Sequence, residues 1–175
     1  TLLINKCHVH DNEAPGGAGI YALNSALIVE YSKIEFNRSA SDNGAGILLQ
    51  DCFGTNIRYN QIHANEGGYG AGIYLDVTNS AGGSNFIVNN LIYRNDGLYD
   101  GAGMYVYGNG VGNTIFDNTF GENFSQGNGG GLYIESTLSI VLNNNIFVNN
   151  NSQQNGGGIC VMNMAGSNID LRSNH

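Results

Sequence analysis

The chain has 175 residues, a net charge of −8 and only six lysines and arginines. That balance excludes a basic nucleic-acid surface and electrostatic docking on anionic lipid, and no apolar run approaches the roughly 18 residues of a membrane span. Charged residues make up 11% of the total while glycine (27) and asparagine (28) dominate, which predicts many tight turns between short apolar segments.

In chain order, the same three elements recur. Ile4 is followed by Val9, three residues before Asn12, and then by a Gly-Ala-Gly phrase ending at Ile20. Val29, Ile34/Asn37 and Ile47 make the second set, and Ile57, Ile62/Asn65 and Ile73 the third. Ile87, Ile92/Asn95 and Met104 follow, then Ile115, Phe120/Asn123 and Leu132. Val141, Ile146/Asn149 and Ile159 form the sixth, and Leu171 opens a seventh. The residues after the glycine phrase are spaced by 27, 26, 31, 28 and 27.

A period near 28 with three short apolar segments per repeat predicts a solenoid. Each segment is brief, alternates with period two and is bounded by Gly or Asn, so the segments are strands. Equivalent strands must pair in parallel and in register. The prediction is a single all-β domain over 1–175: a parallel β-helix of about six coils of 25–31 residues, with three short strands per coil. At about 4.8 Å per coil the stack stands about 29 Å tall. Ile20, Ile47, Ile73, Met104, Leu132 and Ile159 should point inward, and the longest insertion, 76–85, should loop off the shaft.

Two asparagine columns are expected. One holds Asn60, Asn90, Asn118, Asn144 and Asn174, and the other Asn37, Asn65, Asn95, Asn123 and Asn149. At a bend Asn tolerates the left-handed conformation, and stacked amides can bond one another as a ladder. Both roles are structural.

The pattern resembles right-handed parallel β-helix repeats, most closely those of polymorphic outer membrane proteins, which pair a Gly-Gly-Ala-Ile phrase with Phe-x-x-Asn. Here the phrases read Gly44-Ala45-Gly46-Ile47 and Ile62-His63-Ala64-Asn65, and Phe120-Gly121-Glu122-Asn123 carries the phenylalanine. The resemblance implies right-handed coiling and a secreted or surface-displayed passenger, often adhesive. The wider β-helix class also implies polysaccharide lyases and glycoside hydrolases.

Two outward constellations could carry chemistry. Beside the inward isoleucines run Tyr21, Leu48, Tyr74, Tyr105, Tyr133 and Cys160, and two residues further on Leu23, Gln50, Asp76, Tyr107, Glu135 and Met162. Tyr74, Tyr105, Tyr107 and Tyr133 could stack on sugars, with Asp76 and Glu135 as a carboxylate pair. Two strand spacings, about 10 Å, lie near the separation of an inverting glycosidase pair. The plainer reading, which we prefer, is that like side chains pair well along a sheet. His10, Glu35 and His63 should stack on successive coils with His8 close by. Two imidazoles and a carboxylate can hold a metal, although rigid strands about 4.8 Å apart favour ordinary surface polarity. Cys7, Cys52 and Cys160 are far apart without a CxxC pair, which predicts neither a zinc site nor a disulfide framework.

No capping helix or charged terminal segment is evident, and Ile4 and Leu171 hold equivalent positions in the coil. The chain begins without an initiator Met or signal peptide, as an excised or mature product would. The expectation is an uncapped stretch that belongs to a longer solenoid or stacks end to end on copies of itself. The leading functional reading is a non-enzymatic extracellular or cell-surface shaft or filament subunit, with an adhesive role available to it. The alternatives are a carbohydrate-active enzyme or a glycan-binding module on the Tyr/Asp/Glu face. No cofactor is expected, and the partners are further copies, the rest of a longer chain, or surface glycans.

Overall fold

The computed structural model describes the chain except residues 41, 79–82, 109, 111, 137–138 and 164–167. Every element among the described residues is a strand, and every pairing between strands is parallel. The strands fall into four sheets that run the length of the stack. Sheet one has seven strands, from Leu2–Asn5 to Asn168–Arg172. Sheet two runs from His8–His10 to Ile146–Val148, and sheet three from Glu13–Ala14 to Asn151–Ser152. Sheet four runs from Ile20–Leu23 to Ile159–Asn163. This is the predicted solenoid of six coils. Sheet three, built of two-residue strands, adds a fourth strand per coil to the three expected.

Register follows the periodicity. Ile47 pairs directly with Ile73, and Ile73 with Met104. All three side chains are fully buried, beside Leu49, Leu75 and Val106. Sheets one and two send Val29, Ile57, Ile87 and Ile34, Ile62, Ile92 into the same continuous core. Each residue therefore contributes hydrophobic stabilisation through its neighbours above and below as well as across the tube.

The fifth step of the repeat departs from expectation by one residue. Ile115 pairs with Leu142, and Phe120 with Phe147. Val141 and Ile146, which the spacing places over Ile115 and Phe120, are exposed. The asparagine columns shift with them: Asn145 and Asn150, not Asn144 and Asn149, occupy the ladders. In the corrected register Phe147-Val148-Asn149-Asn150 repeats the Phe-x-x-Asn phrase of Phe120–Asn123.

The corners explain why asparagine is so abundant. Two residues join sheet one to sheet two in every coil, and two join sheet two to sheet three. The first of each pair has positive φ: Lys6, Tyr31, Tyr59, Asn89, Asp117 and Asn144 at one corner, Asp11, Phe36, Ala64, Arg94, Glu122 and Asn149 at the other. The second carries the ladder. At the first corner the bonds run from Ser32 through Asn60, Asn90, Asn118 and Asn145 to Asn174. At the second they run from Asn12 through Asn37, Asn65, Asn95 and Asn123 to Asn150. So the left-handed bend and the ladder amide, which the sequence suggests belong to one residue, are adjacent residues. The carboxamide satisfies the backbone groups that a tight buried corner would otherwise orphan. Asn37 and Asn123, each at the head of a glycosylation sequon, are fully buried in this ladder.

Candidate functional site

The tyrosine column on sheet four lies outside the tube, as the pleat dictates, yet it is not open to solvent. Tyr74, Tyr105 and Tyr133 are buried and form a small cluster with Tyr69, Leu48 and Cys160. Tyr74 stacks on Tyr105 at 5.2 Å between centroids and Tyr105 on Tyr133 at 5.1 Å. Tyr69 reaches over from the preceding corner, edge-on to Tyr105 at 5.1 Å, and packs against Tyr99. That cover was missed because Tyr69 and Tyr99 lie between strands, where no period-two pattern reveals them. Tyr21 and Tyr107 remain exposed.

The two carboxylates of this face are both engaged. Glu135 accepts a 2.6 Å hydrogen bond from the Tyr105 hydroxyl. Asp76 Oδ1 accepts from the Thr78 amide at 2.9 Å and the Thr78 hydroxyl at 2.6 Å. Tyr107 is the strand neighbour of both acids and stands between them. Burial and the negative charge of Glu135 push the Tyr105 phenol well above its ordinary range. Burial likewise raises Tyr74, and burial with Asp100 and Glu135 pushes Tyr133 up to about 12. These phenols stay protonated donors at neutral pH.

The second constellation assembles differently from expectation. Glu35 pairs with His10 and His63 across neighbouring strands. His10 nonetheless turns away and bonds Asp11 at 2.6 Å. His8 takes its place, with Nε2 at 2.7 Å from Glu35 Oε1, where Lys33 Nζ also sits at 2.7 Å. His63 Nε2 lies 3.0 Å from Glu35 Oε2 but off the line of a hydrogen bond. Its ring stacks on Tyr93 at 4.4 Å and meets Phe36 edge-on at 6.0 Å. The two imidazoles thus address opposite oxygens of one carboxylate. Among the described residues no three His, Cys, Asp or Glu side chains could hold one ion. Cys7 is exposed and Cys52 buried, and both are free thiols.

The cluster fixes a pH dependence. Burial lowers the affinity of His63 for a proton, Lys33 and Arg94 add to that, and Glu35 opposes it only in part. Burial alone would raise Glu35, but bonds from Lys33 and His8 and the charge of His63 outweigh it and hold the carboxyl low. His63 therefore protonates more readily in the unfolded chain, so stability falls as pH drops below about 6.5. The Glu35 contribution is present above the unfolded carboxylate value of about 4.3 and is lost as pH falls through its depressed folded value. The thermal midpoint should fall on acidification from about pH 7 to about pH 5, and His63→Gln should flatten that slope. An unchanged slope in the variant would assign the effect elsewhere.

The residues that sequence reasoning passed over lie beside this cluster. Tyr31 and Tyr59 are exposed and stack at 5.0 Å with an 8° interplanar angle. They occupy the left-handed corner position that Asn89 and Asp117 fill in higher coils. Together with Lys6, Cys7, His8, Ser32, Lys33 and Gln61 they line a groove of about 360 Å³. The available signal was their position, one residue before Ser32 and Asn60 of the ladder.

No curated protein and no solved structure matches the chain. A protein-family model, described as periplasmic copper-binding protein (NosD), matches residues 3–129. The family is periplasmic by that description, which accords with an extracytoplasmic location, and together with the observed coils it supports right-handed parallel β-helix repeats. The match spans most of the repeat, and the chain belongs to the NosD family.

Proposed function

We propose that this chain is a length of extracytoplasmic β-solenoid that acts as a structural shaft, with end coils that receive a further coil of the same polypeptide or of another copy. The observation that supports it most strongly is the match between the two ends. Asn150, at the top of its ladder, accepts from Asn123 and donates to the Phe120 carbonyl. In every coil below, the same amide also donates upward to the next asparagine. Asn12, at the bottom, directs its donors to Asn37 Oδ1 and offers the side-chain oxygen that such a donor takes. Leu2 and Leu171, the strand neighbours of buried Leu27 and Leu142, are themselves exposed at the two ends. A contact of this kind is head-to-tail and propagates.

The engagement of Asp76 by Thr78 and of Glu135 by Tyr105 weighs against sugar cleavage on sheet four. Copper, named in the family description, does not fit the described residues. His8 and His63 address separate oxygens of Glu35, His10 is held by Asp11, and the donors do not converge.

Gly158 gives a specific test. An added Cβ there would meet nothing closer than Phe147 Cβ at 3.6 Å. At the equivalent Gly46 it would meet the Gly72 carbonyl oxygen of the next coil at 2.5 Å. Gly158→Ala should therefore keep the thermal midpoint of the purified chain and disperse its end-to-end rods in negative-stain micrographs and light scattering. Folded wild-type monomers at every concentration would overturn stacking between copies.

A further inference from the structure

We propose that the groove at the corner between sheets one and two, in coils one to three, binds an acidic sugar, with Tyr31 and Tyr59 as its aromatic wall and Lys6 and Lys33 as its cationic floor. The chain carries −8 overall and has only two lysines, and both line this groove. Three of its four histidines, His8, His10 and His63, project from the adjoining strands of sheet two. Both lysines of the chain thus face one groove, and the charge of Lys6 is available to an anion there. Lys33 shares the Glu35 carboxylate with His8. Lys6 forms no ion pair with a described residue and stands where an incoming carboxylate can meet it.

The two rings supply the second half of the argument. Both sit at positive φ, 50° for Tyr31 and 57° for Tyr59, a conformation that strains a bulky side chain. The same corner column uses Asn89, Asp117, Asn144 and Ser173 higher up, mostly residue types that adopt this bend readily. The bend itself does not call for tyrosine at the two lower positions. What the rings provide is a rigid, half-exposed apolar shelf with polar tips, the surface on which the C–H face of a pyranose packs. Gln61 and Ser32 add neutral hydrogen-bonding groups along the same groove. Its volume of about 360 Å³ falls at the lower end of the roughly 300–1,000 Å³ of small-ligand clefts, and its open sides suit a unit within a chain. This surface is separate from the tyrosine cluster of sheet four and does not depend on end-to-end stacking.

The test uses the whole chain, short oligogalacturonates and their neutral methyl esters, with binding read by titration calorimetry. The expected result is binding of the acid and not of the ester. Lys6→Gln should weaken it roughly tenfold, the share of one charge-assisted hydrogen bond. The double variant Tyr31→Asn, Tyr59→Asn places the residue of coil four in coils two and three. It should retain the wild-type thermal midpoint or exceed it, because the corner strain is relieved, and it should lose binding altogether. A purely structural tyrosine stack predicts the reverse: a lower midpoint and no change in any ligand. The proposal is overturned by equal binding of acid and ester, by equal binding of polyglutamate, by binding that survives the double variant, or by no binding of the acid at millimolar concentration.

Discussion

Gly72→Ala is expected to lower the thermal midpoint by about 6–12 °C, from a loss of more than about 3 kcal/mol. Gly19, Gly46, Gly72, Gly103 and Gly131 stand over one another just before the inward residue of sheet four. At each, an added Cβ would run into the carbonyl oxygen of the glycine one coil above. At Gly72 it would also approach Asn95 Nδ2 at 3.0 Å. Neither obstacle is the free end of a flexible side chain. The carbonyl is fixed by the bond it accepts from Ile73, and Asn95 is fixed by the ladder. Relief requires pulling two coils apart, which breaks register in all four sheets. Gly121→Ala is the matched control: the nearest atom to its Cβ is Val148 Cγ1 at 3.6 Å, and its φ is not positive, so the change should be close to neutral. Circular dichroism melts of the two variants should separate widely, and coincident melts would refute the steric account.

Asn95→Ala is expected to cost about 3–5 kcal/mol, from several buried groups left unpaired at about 1–3 kcal/mol each. Its Oδ1 accepts from the Asn65 amide at 3.1 Å and Asn65 Nδ2 at 3.0 Å. Its Nδ2 donates to the Ile62 carbonyl at 3.1 Å and to Asn123 Oδ1 at 3.0 Å. The side chain is wholly buried, so water cannot replace these partners without opening the corner. The bonds run in one direction through the column and polarise one another, so a central deletion should cost more than one at either end. Asn95→Asp makes a sharper variant. It keeps the shape and removes both donors, and it sets a carboxylate against Asn123 Oδ1. Its midpoint should lie below that of Asn95→Ala at neutral pH and recover toward it in acid, as the carboxyl protonates. Melts that do not differ between Asn95→Ala and a surface asparagine such as Asn24→Ala would sink the ladder argument.

The solenoid was legible because a strand stacked on its own equivalents repeats its inward residues at fixed spacing. Ile47, Ile73 and Met104 could be placed over one another from their positions alone. The slip at the fifth step has a local cause. The stretch Val141-Leu142-Asn143-Asn144-Asn145-Ile146-Phe147 offers two adjacent apolar residues on either side of three asparagines in succession. Spacing alone does not choose between registers there; the packing of buried Leu142 and partly buried Phe147 does. Sheet three escaped notice because two residues, as in Glu66–Gly67, are too few to alternate. The tyrosine face was read with the correct parity and the wrong environment, since its cover comes from Tyr69, outside any strand. The foreseen stack was His10–Glu35–His63, with His8 close by. That His8 and not His10 would reach Glu35 depends on side-chain rotation, which residue spacing does not encode.

The constancy of the two corners flanking sheet two has an evolutionary and engineering consequence. Both keep two residues in every coil, whereas the connection from sheet four to sheet one ranges from 137–138 to 77–85. The largest length changes are therefore absorbed along one seam of the tube, and a peptide epitope spliced between Thr78 and Gly83 would leave the buried Val77 and Asn85 in place. A single residue inserted between Tyr93 and Asp96 would instead throw one amide column out of phase from that coil onward. Diversification of this lineage should then proceed by lengthening along that seam and by exchanging side chains at the rigid bends.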